Sequence, residues 1–305
     1  MNGETGTGDD VAGETVAREE ADTEVNHQIG NRTAPGPGHV VATIVRRELW
    51  TVVRTRTFLL LGFALTAVLL GVAVLSGGLR AGYVPTAVDL LTPLELLVPV
   101  VAVAFGYRAV LGDEQRGELD VLRTYPVSPW QIVGGIYLGR AAGLIAAVTL
   151  PLAFVGVAVA LTEREASILY ATHTGADSPL LYLRVVLLTI LFALVLLAVA
   201  LAISAIASTA RSALALGVVA LVVLLVGADL ALVYGLASGV VPEGSLIHAL
   251  ALSPLSAYRG LVLETAVVVA AGTGPQTAAP LSSLIGLLVW GVGSLTVATA
   301  ALRRS

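Results

Sequence analysis

The sequence predicts an all-α integral membrane protein: six transmembrane helices, an N-terminal interfacial helix, and a short cytoplasmic helix between the second and third spans. Three observations lead there. Only 12 % of the 305 residues are charged and 56 % are hydrophobic, whereas about a quarter of the residues in a soluble domain are charged. Six stretches reach the roughly 20 apolar residues that a helix needs to cross a bilayer. Arginine-rich and arginine-poor connections alternate along the chain, which is the mark of a polytopic protein with one cytoplasmic side.

Composition excludes several classes. The chain has no cysteine, which removes disulfides and thiolate metal sites. It also has no lysine; all 17 basic residues are arginine. A phosphate-binding loop needs lysine before Ser or Thr, so "GTGDD" and "GTGPQ" are glycine turns and ATP is not hydrolysed here. His27, His39, His173 and His248 are scattered and show no HExxH spacing, so no metal or other cofactor is expected on this chain. No nucleic-acid partner is expected either. Residues 1–39 carry eight acids against two arginines and are rich in Gly, Thr and Pro. Such a segment cannot bury enough apolar surface to fold, and it reads as a disordered acidic tail. It lacks the basic start and short apolar core of a signal peptide. Residues 40–305 form the transmembrane domain.

In chain order, residues 40–56, "VVATIVRRELWTVVRTR", come first. Val41, Ile44, Val45, Leu49, Trp50 and Val53 recur at helical spacing, with arginines on the other side. This is an amphipathic helix in the inner interface, with Arg46 and Arg47 turned toward anionic lipid beside Glu48 and Trp50. The spans follow at about 57–76, 90–111, 132–161, 183–207, 213–236 and 281–302. The first and fourth are almost wholly Leu, Val, Ile and Ala and insert unaided. The second carries Glu95 and Arg108, the third Arg140 and the fifth Asp229. An ionisable group inside a span is a functional candidate, and Asp229 is the pathway candidate; Glu95 and Arg140 lie nearer helix ends, where they can snorkel. Gly134, Gly135, Gly139 and Gly143 give the third span a face for close helix packing. Residues 237–280 are partly apolar but broken by Pro254 and charged at Arg259 and Glu264. They read as one or two short helices at the outer face, not as a seventh span.

Eleven arginines fall on one side of this layout (Arg46, Arg47, Arg54, Arg56, Arg108, Arg116, Arg123, Arg140, Arg211, Arg303, Arg304) and four on the other (Arg80, Arg164, Arg184, Arg259). The bias places both termini in the cytoplasm of a cell-membrane protein.

The most charged stretch of the body is "GDEQRGELDVLRTYPVSPWQ", residues 112–131. Asp113 is placed to cap a helix, with Glu114 in the first turn. Glu118, Leu119, Leu122 and Tyr125 follow at helical spacing, and Pro126 ends the run. Ser128, Pro129 and Gln131 then make a second helix start, by capping box and proline at the first position. The loop is thus a short amphipathic helix, a proline break and a capped entry into the third span.

The pattern "FGYRAVLGDEQRGELDVLRTYPVSPWQIVGGIYLGR" resembles the permease subunits of ABC-2-type ABC transporters. The resemblance rests on Glu114, Gly117, Leu119, Leu122, Pro126, Val127, Ser128 and Gly139–Arg140. Glu118 stands where that family usually has Thr, and Gly135–Ile136 where it has lysine. "LSPLSAYRG" (Leu252–Gly260) is similar to the family's outer Pro-x-x-x-Tyr/Phe-Arg element. What the resemblance implies is a division of labour. A separate ATPase subunit holds ATP and Mg, and the permease, as a homodimer or a paired permease, forms an export pathway. The interfacial helix and Asp113, Glu114, Arg116, Gly117, Leu119, Leu122, Pro126, Val127 and Ser128 would sit in a cleft of the ATPase. An ion-driven secondary transporter is the rival reading; it calls for repeated halves and ionisable groups at the midplane. A membrane-embedded enzyme would need several polar residues at one depth.

Overall fold

Long apolar runs in this chain become helices because only helices satisfy every backbone N–H and C=O internally where water is absent. The computed structural model describes residues 37–115, 127–163, 177–242, 245–272 and 278–304. The chain divides into two compact units, Met1–Val40 and Val41–Ser305. Of the first, only residues 37–40 are described, as the opening turn of a helix that starts at a proline; the acidic tail over 1–36 lies outside the described residues.

All regular structure among the described residues is helical. Helix α1 spans Pro37–Arg54 and α2 spans Arg56–Leu75. The second predicted span begins earlier than expected, as α3 over Tyr83–Gly106, and ends at a break followed by the short α4, Ala109–Gln115. The third and fourth are α5, Pro129–Leu161, and α6, Pro179–Ile206. The fifth is α7, Ala210–Ala237, interrupted by a π-turn over Val223–Gly227. After a short helix α8 (Leu246–Ala249) and a 3-10 turn (Leu250–Leu252) come α9, Pro254–Ala271, and α10, Pro280–Arg304.

Helix α6 is the centre. It packs against α3, α5, α9 and α10. It is apolar all round, with a mean hydropathy of 3.2 in its best window, so it has no polar stripe to turn outward. Small residues let neighbours close in: a Cβ on Gly106 would stand 2.5 Å from the Ala200 Cβ of α6. Elsewhere α2, α7 and α10 expose Phe63, Leu60, Val233 and Val289, as helices do that face hydrocarbon. At the end of the bundle away from α1, Gly82 holds φ +117, and a Cβ there would meet Asp177 Oδ2 at 2.6 Å. Asp177 Oδ1 accepts from the Val84 N–H at 2.9 Å, tying the start of α3 to the start of α6.

Among the described residues seven helices, not six, are long and apolar enough to cross a membrane by length and composition. The addition is α9, whose mean hydropathy of 1.3 is below the 1.9 to 3.2 of the others. Its neighbours show how deep it goes. The Arg184 side chain donates to the Thr265 carbonyl, Thr189 Oγ1 is 2.9 Å from the Tyr258 hydroxyl, and Phe192 stacks on Tyr258 at 4.6 Å. So α9 runs antiparallel to α6 from Phe192 back to Arg184. That leaves the 14 residues from Phe192 to Ile206, about 21 Å of helix, beyond these contacts. Its lower end sits where Trp290 Nε1 donates to the Leu252 carbonyl at 3.0 Å, ten residues or about 15 Å into α10. Together α8 and α9 form a re-entrant hairpin that enters and leaves by one end of the bundle. Its non-helical corner at Ser253 is buried in protein, as such backbone must be at that depth. Among the described residues, 245–272 therefore dip in and out at one end of the bundle between α7 and α10.

Gly286 lets the tip of the hairpin reach α10, since a Cβ there would lie 2.1 Å from the Ala251 carbonyl oxygen. Gly286→Ala should cost about 1–3 kcal/mol through overpacking against backbone, read as a lower melting midpoint in detergent. Gly293→Ala, on the same helix with nothing within 4 Å, should leave the midpoint unchanged or raise it, because alanine is the better helix former.

Candidate functional site

Two polar centres interrupt the apolar bundle. The first lies at the α1 end and is built on α5. Helix α1 lies along the glycine face of α5: a Cβ on Gly135 would meet Ile44 Cγ2 at 2.8 Å, and one on Gly139 would meet Glu48 Cβ at 2.3 Å. This close approach brings Glu48 into the protein, where it is 2 % exposed. Its carboxylate accepts from Arg140 Nε at 2.6 Å and from the Arg47 guanidinium at 3.0 Å. Arg47 also reaches Asp113 Oδ2 at 2.5 Å, and Asp113 is fully buried. Two cations and two carboxylates balance. Arg140 goes further: its NH1 donates to the Phe105 carbonyl at 3.2 Å, near the last turn of α3, and its guanidinium sits 5.9 Å from the Phe58 ring centroid of α2. One side chain of α5 thus touches α1, α2 and α3.

Helix α4 begins at Ala109, so Asp113 does not cap it. The expected N-cap is replaced from a distance: Ser204 Oγ of α6 accepts from both the Val110 and Leu111 N–H groups at 3.1 Å. Those are first-turn donors that no local side chain serves. Leu111 is buried with Ala207 and Ala213, where α6 turns into α7. Asp113 serves instead as the buried counter-ion of Arg47. Arg47 in turn faces inward, not lipid, whereas Arg46 and Trp50 are exposed as expected. Arg140 does not snorkel; its side chain is 12 % exposed. Glu114 is exposed. Val127 and Ser128 lead into α5, where Gln131 Oε1 accepts from the Ser128 N–H at 2.8 Å. Arg116, Gly117, Leu119, Leu122 and Pro126 lie outside the described residues.

The second centre sits at the re-entrant hairpin. Glu95 is 5 % exposed, near the middle of α3 and roughly 18 Å from Tyr83. Arg259 of α9 grips it with two nitrogens: Nε donates to Oε1 at 2.7 Å and NH2 to Oε2. Asp229 of α7 follows the π-turn by two residues, and its Oδ1 accepts from Ser256 Oγ at 2.5 Å. A cavity of about 440 Å³ opens on this group, lined by Asp229, Ser256 and Arg259 together with Leu232, Val233 and Leu263. Asp229 is thus where the sequence singled it out. Glu95 and Arg259 were missed as a pair because 164 residues separate them; only an ionisable residue in each of two apolar runs hinted at it.

A multi-pass helical bundle with a buried charge network joining α1, α4 and α5 at one end and a charged re-entrant hairpin at the other is built as a transport protein. The chain belongs to the ABC-2 family transporter protein family, whose model matches residues 42–305, and is an ABC transporter permease. It is similar to the "Probable ABC transporter permease protein NosY" of Pseudomonas aeruginosa, 32 % identical over 280 residues that cover 87 % of this chain and 98 % of that protein. The protein of the same name from Stutzerimonas stutzeri is 32 % identical over 126 residues, 40 % of this chain and 45 % of that one.

Removing one partner of a buried ion pair strands the other. Glu48→Ala should therefore cost about 3–5 kcal/mol, measured as a fall in melting midpoint of the purified protein. Glu48→Gln keeps the shape and an acceptor for Arg140 and should lose distinctly less.

Proposed function

We propose that this chain forms the membrane pathway of an ATP-driven exporter and takes its drive from a separate ATPase subunit at the α1 end of the bundle. The observation that carries this reading is the Arg47–Asp113 and Glu48–Arg140 network. It ties the interfacial helix α1 to α4 and α5 through buried charges. A surface that must pass on a mechanical stroke needs a stiff mounting, and an amphipathic helix docks by laying its apolar face into a groove. The segment between α4 and α5, with Leu119, Leu122 and Tyr125 at helical spacing, is the element that would enter the ATPase cleft. Asp113, Glu114, Arg116, Gly117, Pro126, Val127 and Ser128 would orient it. ATP and Mg belong to that partner.

The working unit is proposed to be a permease homodimer or a pair of related permeases in the cell membrane, with both termini cytoplasmic. Support comes from the hairpin. Arg259 is 49 % exposed within the single chain, and an ionised group at such depth faces a bundle interior or an aqueous cavity, not lipid. A second permease subunit across the Asp229–Arg259 face supplies that interior, with the pathway between the two. Ion-driven secondary transport draws on the same midplane charges, and export that persists under an ion gradient without ATP or the ATPase would select it.

Leu119→Asp or Leu122→Asp should leave the permease inserted but abolish capture of the ATPase in a pulldown; unchanged capture would remove the docking assignment. The absence of native cysteine makes the orientation directly testable. A cysteine at Glu114 should react with an impermeant maleimide in inside-out vesicles and stay unreactive in intact cells.

A further inference from the structure

The hairpin cavity has a charge and a shape that together define a class of ligand. Of its three ionisable neighbours, Glu95 and Arg259 neutralise each other through two hydrogen bonds. Asp229 hydrogen-bonds only a neutral group, the Ser256 hydroxyl, and lies in the field of the same guanidinium without a hydrogen bond to it. The local sum is one negative charge, held where the dielectric is low and a lone carboxylate is costly. Around it the walls are apolar: Leu232, Val233, Leu236, Leu250 and Leu263. At about 440 Å³ the space falls within the range of small-molecule sites, which are mostly apolar with a few placed polar groups. Asp229 stands about 12 Å below the end of α7 at Ala237, beside a π-turn, a helical irregularity concentrated at functional sites.

We propose that this cavity binds lipophilic cations: molecules with one positive charge on a large apolar body, the charge placed against Asp229 and the body against the leucine wall. This deepens the reading of the Asp229 face as the pathway and rests on it. The charge balance sets the sign. An anion would meet Asp229 directly and find the Arg259 guanidinium already engaged by Glu95. A neutral apolar molecule would leave the carboxylate uncompensated. A cation removes that imbalance, and Coulomb attraction beside apolar walls is stronger than in bulk water.

The experiment is equilibrium binding of two probes of matched size and opposite charge, tetraphenylphosphonium and tetraphenylborate, to the full chain in lipid nanodiscs, with empty nanodiscs subtracted. Saturable binding of the phosphonium, about tenfold or more tighter than that of the borate, is expected. Asp229→Asn keeps the acceptor for Ser256 and should weaken phosphonium binding about tenfold. Val233→Lys sets a cation one turn above Asp229 on the same wall and should weaken it comparably while leaving the carboxylate in place, so the result does not hinge on one variant folding. Equal affinity for both probes overturns the proposal. So does phosphonium binding that neither substitution changes. The assay contains no ATPase, so a failed Leu119→Asp pulldown and a failed binding experiment are separate results: the first removes the docking assignment, the second the ligand class.

Discussion

The arrangement depends on one ion pair, Arg140 with Glu48. Its Nε–Oε2 separation is 2.6 Å and both side chains are largely buried. Neither charge is affordable alone in an apolar bundle. Glu48 can be there only because Gly135 and Gly139 let α1 lie directly on α5, and Arg140 only because Glu48 and the Phe105 carbonyl receive it. A buried pair of this kind adds little net stability against a well-packed apolar substitute. What it adds is geometry. Arg140 fixes α1, α2 and α3 relative to α5, and Arg47 extends the lock to α4 through Asp113.

The hairpin follows the same rule at the other end. Residues 245–272 carry polar groups into the bundle, and partners on α3 and α6 receive them: Glu95 receives Arg259, and Arg184 donates to the Thr265 carbonyl. Tyr258 is wholly buried, its hydroxyl on Thr189 and its ring on Phe192. Two π-turns, Val223–Gly227 and Leu263–Val267, lie in the two helices that wall the cavity. Each offsets the helical register by part of a turn, and this happens where the apolar walls give way to Asp229 and Arg259.

The spans were legible because hydropathy and arginine bias record a physical partition that each segment undergoes largely on its own. Ser128, Pro129 and Gln131 were legible as a helix start because capping is local, and Gln131 does reach back to the Ser128 N–H. What the sequence hid was every partnership between distant segments. Asp113 looks like an N-cap, yet the cap of α4 is Ser204, more than 90 residues away. Arg47 sits among interfacial arginines and nothing local marks it as the one turned inward. Glu95 and Arg140 looked able to snorkel because their distance from a helix end is visible and their partners are not. The hairpin was half legible: Pro254, Arg259 and Glu264 argued against a crossing, but only the Arg184, Thr189 and Phe192 contacts show how far it descends.

The two polar centres share no side chain, but they share two helices. Helix α3 carries the carbonyl that receives Arg140 at Phe105 and, ten residues or about 15 Å back along its axis, the carboxylate that receives Arg259. Helix α6 carries Ser204 on the first turn of α4 and Thr189 on the hairpin. Coupling between distant sites needs a physical element that both sites bias. Here α3 and α6 are the elements that reach both, since each is fastened at both levels by named hydrogen bonds. Because Glu95 on α3 and Asp229 on α7 border the same guanidinium, a shift of α3 relative to α7 changes the charge balance of the cavity without any contact between the two centres.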